Sequence, residues 1–140
     1  MNKVEEDTID PYIFSLLEHA TSSDKVLSEY NLYQQIKARK LYGWKRNNDY
    51  VACIGIEMTL SNEAEIKHIA VSPNLREQRI GSKMLDYMVK ELGIRRLTAE
   101  TDQDAVGFYR NYGFIVSSIG EKYPGVERFW CEWEKRVSNI

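Results

Sequence analysis

Apolar positions recur along the chain in two periods, and the switches between them mark its elements. Asp10-Pro11 opens a helix, because an Asp side chain accepts from free helix-start amides and Pro suits the first helical position. Tyr12, Ile13, Leu16 and Leu17 follow at helical spacing, and the pattern fades at His19-Ala20. Ser22-Ser23-Asp24 starts a second helix, whose apolar positions Val26, Leu27, Tyr30, Tyr33 and Ile36 carry it to about Arg39. Residues 41–45 and 50–58 favour strand and flank Asn47-Asn48-Asp49, a turn-favouring cluster, so they read as a hairpin. Residues 65–71 form another strand. Residues 81–92 form a helix with Met84, Leu85, Met88, Val89 and Leu92 on one face and Gly93 as its cap. Residues 97–101 form a strand, and Asp102 or Asp104 caps a short helix closed by Gly113. In that helix Ala105, Phe108 and Tyr112 are expected to pack inward, while Tyr109 projects further round. Residues 114–119 and 127–133 are two late strands. The order predicts an α/β domain with a mixed sheet.

Composition narrows the function classes. The 140 residues suit one domain, and the 3 prolines and 8 glycines are scattered without a linker. A net charge of -2 argues against a nucleic-acid binder driven by bulk charge. Cys53 and Cys131 stand far apart, which is neither a disulfide framework nor a zinc spacing, so no metal site is expected and a reducing cytoplasm is. The start is acidic and has no apolar core of a signal peptide, and no run approaches the roughly 20 apolar residues of a membrane span. Aromatic residues are 11%, an excess that asks for a reason.

Residues 66–82 are the most informative stretch for chemistry. A strand, Ile66-Lys67-His68-Ile69-Ala70-Val71, leads through Ser72-Pro73-Asn74-Leu75 into Arg76-Glu77-Gln78-Arg79-Ile80-Gly81-Ser82 and a helix. A helix start offers unpaired amides and the positive end of the helix dipole, so it can hold a phosphate. Arg76, Arg79 and Lys83 add positive charge in an otherwise slightly acidic chain. No Gly-Lys-Ser/Thr ending makes it a P-loop, and the glycines of a dinucleotide fingerprint are missing. The same residues would serve equally as a helix start with solvated basic side chains. Further on, Ala105-Val106-Gly107-Phe108-Tyr109-Arg110-Asn111-Tyr112-Gly113-Phe114 ends a short helix in Gly-Phe and turns into a strand.

The ordered pair of motifs resembles the GNAT superfamily of N-acetyltransferases. The family's acetyl-CoA motif, Arg/Gln-x-x-Gly-x-Gly/Ala, appears as Arg76-x-x-Arg79-x-Gly81 behind Ile69-Ala70-Val71-Ser72-Pro73. Ala105-x-x-Phe108-Tyr109-x-x-x-Gly113-Phe114 matches its helix–turn–strand signature. The match covers residues 50 to 116, and the N-terminal third matches in its two-helix layout. The resemblance implies one N-acetyltransferase domain over residues 1–140. It implies a mixed, mostly antiparallel sheet flanked by helices, with a splayed central strand pair holding the cosubstrate. A first strand would be short, within residues 1–8, or absent. Arg79 stands where the motif has its first glycine. Its amide can still donate at negative φ, whereas positive φ would strain it by about 1–2 kcal/mol.

The resemblance further implies direct acetyl transfer from acetyl-CoA to a primary amine of a small molecule or peptide. Ile69, Ala70 and Val71 would hold the pantetheine arm. Arg76, Gln78, Arg79, Ile80, Gly81 and Ser82 would hold the pyrophosphate, with Asp102, or in its place Asp104, and Tyr109 also at the cosubstrate. Tyr109 is the implied acid for the leaving thiolate and Glu65 the implied base. Strand alternation puts Glu65, Lys67 and Ile69 on one face and Ile66, His68 and Ala70 on the other, unless a bulge breaks it. His68 is the reserve base. The acceptor side would draw on the aromatic excess, with Tyr30, Tyr33 and Trp44 first and Glu29 or Glu57 steering a cation. A non-catalytic acyl-CoA-binding or sensing module is the alternative. Neither nucleic acid nor membrane is an expected partner; a homodimer is compatible.

Overall fold

A computed structural model of the chain describes residues 1–136; residues 137–140, the end of the expected domain, lie outside the described part. The elements run β1 (Asn2–Lys3), α1 (Pro11–Ala20), α2 (Val26–Gln35), β2 (Arg39–Arg46), β3 (Asp49–Leu60), β4 (Glu63–Val71), α3 (Ile80–Lys90), β5 (Arg96–Asp102), α4 (Val106–Tyr112), β6 (Ile115–Tyr123) and β7 (Val126–Glu134). They build one seven-stranded sheet in the order β1-β2-β3-β4-β5-β7-β6. Each neighbouring pair is antiparallel except β4 and β5.

Local chemistry explains the element ends. Asp10 Oδ1 accepts from the Tyr12 amide at 2.8 Å and Pro11 takes the first helical position, so α1 starts where its sequence directs. Asn47 and Asn48 both adopt positive φ, the twist that a two-residue hairpin needs, and join β2 to β3. The second helix is shorter than its pattern suggests. A 3-10 turn at Ser23–Lys25 precedes α2, which ends at Gln35 because Ile36 turns extended. Arg39 then opens β2 instead of closing a helix. Leu27 and Ile36, expected on the apolar stripe, are exposed. The expected first strand is the two-residue β1.

Apolar side chains gather on both faces of the sheet. Under α1 and α2 lie Ile13, Leu17, Val26, Tyr30, Leu41 and Cys53. Under α3 and α4 lie Ile54, Ile56, Ile66, Met84, Leu85, Met88 and Leu97. Burying these groups drives the assembly, at roughly 25 cal/mol per Å² of apolar surface. Within α4 the expected facing is reversed: Val106 and Tyr109 are buried and Ala105 is exposed, with Phe108 and Tyr112 between. Tyr109 sits edge-on to both Phe108 and Phe114, at centroid distances of 5.2 and 5.1 Å, which ties α4 to the turn before β6.

Two features of β4 position the site. Gly55 faces His68 while Ile56 faces Ile66, so Lys67 is an extra residue in β4. This bulge swaps the alternation: Ile66 joins Ile69 and Val71 on the α3 side, and Ala70 packs on the α1–α2 side. In addition, β4 pairs with β5 only from Glu63–Arg96 to Ile66–Ala99, and beyond that point the two strands part.

Candidate active site

Where β4 and β5 part, the backbone of β4 loses its partner on one side. The Ser72 amide bonds the Val51 carbonyl at 2.8 Å, so Ser72 points to β3. Backbone groups alternate along an antiparallel ladder, so those of Val71 and Ile69 point into the gap. The Val71 carbonyl accepts from Arg76 Nε at 3.2 Å there.

The opening between the strands is a cleft of about 620 Å³. Ile69, Ala70 and Val71 form one wall, and Ala105, Phe108 and Tyr109 form another. Arg76, Arg79, Gly81 and Ser82 close its third side. Of the residues expected at the cosubstrate, these stand together. The first amide of α3 bonded back is that of Lys83, to the Arg79 carbonyl at 3.0 Å, and the helix has no side-chain cap. The amides of Ile80, Gly81 and Ser82 therefore have no partner within the helix. Gly81 packs closely on Phe108, since a Cβ there would come to 2.8 Å from Phe108 Cε1 and the ring would have to shift.

Arg79 adopts φ +61 and ψ 23, so the strained alternative holds. It follows the 3-10 turn Pro73–Gln78, and a right-handed residue followed by a left-handed one turns successive amides to one concave side, an anion-binding geometry. The backbone thus takes the shape a glycine would give, at a cost of about 1 kcal/mol. The side chains of Gln78 and Asp102 are engaged outside this cradle. Gln78 Oε1 accepts from Arg46 Nη1 at 2.9 Å, and Asp102 Oδ1 caps the Ala105 amide at 2.9 Å.

Tyr109 is 4% exposed, yet its hydroxyl makes no hydrogen bond with the described residues. No buried polar atom among them lacks a partner, so the hydroxyl opens into the cleft that its ring lines. Burial pushes the phenol well above its usual range, helped by Cys131 and Asp102, and Tyr109 keeps its proton at neutral pH.

Glu65 and His68 lie on the opposite face, toward α2. Glu65 is half-buried near the last β4–β5 pairs, 3.3 Å from Lys67 Nζ, and does not line the cleft. Cross-strand register sets Glu57, Glu65, Thr98 and Glu132 in one row on this face. His68 Nδ1 bonds the Tyr33 hydroxyl at 2.5 Å. Burial lowers the His68 pKa, with Arg39 and Lys67 adding to burial and Glu29 opposing it. Arg39 binds Glu57 at 2.9 Å and Glu29 at 3.1 Å, so the two expected steering carboxylates are held by one cation. Tyr30 is sealed in the core with its hydroxyl on the Glu6 carbonyl at 2.6 Å, and Trp44 packs on the α3 side. Neither lines the cleft. Cys53 is fully buried and pushed up to about 12, and Cys131 is raised by burial too, so neither thiol is a nucleophile.

Asp104, the alternative to Asp102, lines the cleft, and sequence reasoning missed two further cleft residues, His19 and Asn111. Asn111 follows Phe108 by three, a helical spacing that would have found it. His19 ends α1, fifty residues from β4, and no local signal announces it.

This arrangement has counterparts. Residues 5–114 match the profile of the acetyltransferase (GNAT) family. The chain belongs to that family. A curated relative, an uncharacterised N-acetyltransferase of Bacillus methanolicus, is 30% identical over 73 residues. That match spans 52% of this chain and 61% of the relative, less than two thirds of its length. A GNAT family acetyltransferase from Elizabethkingia anophelis, solved with acetyl-CoA bound, superposes with a TM-score of 0.72 at 23% identity, covering 96% of each chain. An aminoglycoside 6'-N-acetyltransferase complexed with coenzyme A gives a TM-score of 0.78 at 16% identity, covering 99% of this chain and 100% of that one. These two likenesses concern the fold, a mixed α/β sheet of mostly antiparallel strands.

Proposed function

We propose that the protein is an acetyl-CoA-dependent N-acetyltransferase that moves the acetyl group directly to a primary amine of a small molecule or peptide. The observation that carries this reading is the cleft itself. An open strand edge, unpaired helix-start amides and a protonated phenol meet in one opening of sufficient size. A nucleotide-linked thioester fits that set: its diphosphate suits the Arg79–Ser82 amides and its amide arm suits the free edge of Ile69 and the Val71 amide. Bound there, acetyl-CoA would supply the activated acetyl carbon and a thiolate leaving group.

Each remaining role falls to a side chain of this protein. Tyr109 donates its O–H toward the departing sulfur. Its raised pKa makes it a hydrogen-bond donor first and a proton source as the thiolate forms. An amine with a pKa of about 10.4 is almost wholly protonated at pH 7 and must lose a proton before it attacks. Glu65, on the far face at the point where the strands part, takes that proton, directly or through water. Two buried free thiols suit a reducing cytoplasm.

Thermal shift with acetyl-CoA, followed by thiol release with a panel of primary amines, tests the proposal. A stabilised protein that releases thiol with at least one amine supports it. Stabilisation with no turnover on any amine would favour a non-catalytic acyl-CoA-binding module, and no stabilisation would refute both.

A further inference from the structure

Tyr33 and His68 form a buried pair that the mechanism above leaves unused. Their rings meet edge-on at 5.6 Å between centroids and 71° between planes. The seat is built for them. A Cβ at Gly55 would fall inside the Tyr33 phenol, so glycine lets the ring lie against β3. Arg39 sits 5.8 Å over the same ring, anchored by Glu29 and Glu57.

The direction of the hydrogen bond follows from satisfaction. Among the described residues the Tyr33 hydroxyl has one partner, His68 Nδ1. If Nδ1 carried the proton, the buried phenol would hold an O–H with nothing to receive it. Tyr33 therefore donates, Nδ1 accepts, and the imidazole proton sits on Nε2. That nitrogen has no hydrogen bond with the described residues, and no buried polar atom among them is unpartnered, so Nε2 reaches open space. His68 is the second residue past the last β4–β5 pair, on the face toward α2. The charged groups around it are Glu29 from α2, Arg39 from β2 and Lys67 on its own strand.

We propose that Tyr33 holds His68 as a neutral Nε2–H donor at the point where the strands part, and that this N–H selects amines carrying an oxygen close to the nitrogen. The inference rests on the amine-acetylation reading above. An ammonium offers only donors, and after deprotonation its lone pair is committed to the acetyl carbon. A fixed N–H must then meet another atom of the acceptor, and a hydroxyl or carbonyl oxygen is the group that complements it. In this tautomer His68 has no free lone pair and is not the base. Tyr33 is a positioning residue, acting through His68.

The test pairs acceptors and variants. Ethanolamine and glycinamide are compared with propylamine in thiol release. The expected wild-type preference for the oxygen-bearing amines is about tenfold or more in kcat/KM. His68→Gln keeps side-chain N–H donors and retains most of the preference, whereas His68→Leu erases it. An equal loss on every amine in both variants would make His68 a base and overturn the proposal. An unchanged preference in His68→Leu would overturn it too. Nitrogen-15 NMR of the wild-type protein at pH 7 needs no substrate and no variant. It should find a pyridine-like Nδ1 and a pyrrole-like Nε2, mixing in Tyr33→Phe; an Nδ1–H or an imidazolium would refute the pair. Turnover of amines without preference sinks this inference alone. No turnover on any amine sinks the functional reading and with it the acceptor selection, while NMR still judges the pair.

Discussion

Tyr109 and His68 are both nearly buried rings with one open polar atom, yet their environments set them different tasks. Tyr109 has no partner for its hydroxyl and a pKa raised by burial, so removing the oxygen should cost chemistry and little else. Tyr109→Phe is expected to lower kcat by about a hundredfold while the acetyl-CoA dissociation constant stays within about twofold. Unchanged turnover in a steady-state assay would remove Tyr109 from the mechanism. His68 makes a statement about stability. Its folded pKa lies below 6.5, so in acid the unfolded chain binds the proton more readily. Its contribution is fully present above pH 6.5 and is lost as pH falls from there toward the folded value. Denaturant unfolding at pH 5 and pH 7 should thus show a smaller acid loss in His68→Gln than in wild type. Equal losses would mean that His68 titrates alike in both states.

At the scale of elements, two turns and a bulge do most of the positioning. Arg79 keeps a left-handed backbone that a glycine would hold without strain. Arg79→Gly should be more stable than Arg79→Ala by about 1 kcal/mol, less the unfolded-state entropy of glycine, because Ala keeps the strained Cβ. An Arg79→Ala variant that melts above Arg79→Gly would contradict the strain. Gly55→Ala should cost about 1–3 kcal/mol, because the buried Tyr33 ring, held by His68 and Arg39, would have to move. A neutral result in chemical denaturation would mean that the ring seat is loose. Most elements were legible in the sequence, because caps such as Asp10-Pro11 and the Asn47-Asn48 turn act locally. The end of α2 was not legible. Ile36 fits the helical period, but β2 must begin at Arg39 to pair with Glu57, and pairing overrides the pattern. The facing of β4 was legible only as a condition, since a one-residue bulge at Lys67 reverses it without a composition signal. Sequence also misread α4, where Tyr109 is held inward between two phenylalanines and still opens its hydroxyl to the cleft.

On the scale of the whole molecule, the sheet separates the cleft from the row of carboxylates. The cleft with helix-start amides opens between β4 and β5, while Glu65, His68 and the acidic row stand toward α2 and the uncovered face of β5 and β7. The aromatic excess divides the same way. Tyr30, Tyr42 and Tyr50 are core, Phe108 and Phe114 brace Tyr109, and Tyr33 serves His68. Trp130 lies beside Glu100 across β5 and β7, with its indole N–H on Glu132 at 2.9 Å. The most direct test of the central claim is acetyl transfer itself, followed as thiol release from acetyl-CoA with wild type and Tyr109→Phe side by side over a panel of primary amines. Turnover with at least one amine and a drop of about a hundredfold in the variant are expected. A wild-type protein that binds acetyl-CoA and acetylates none of them would contradict it.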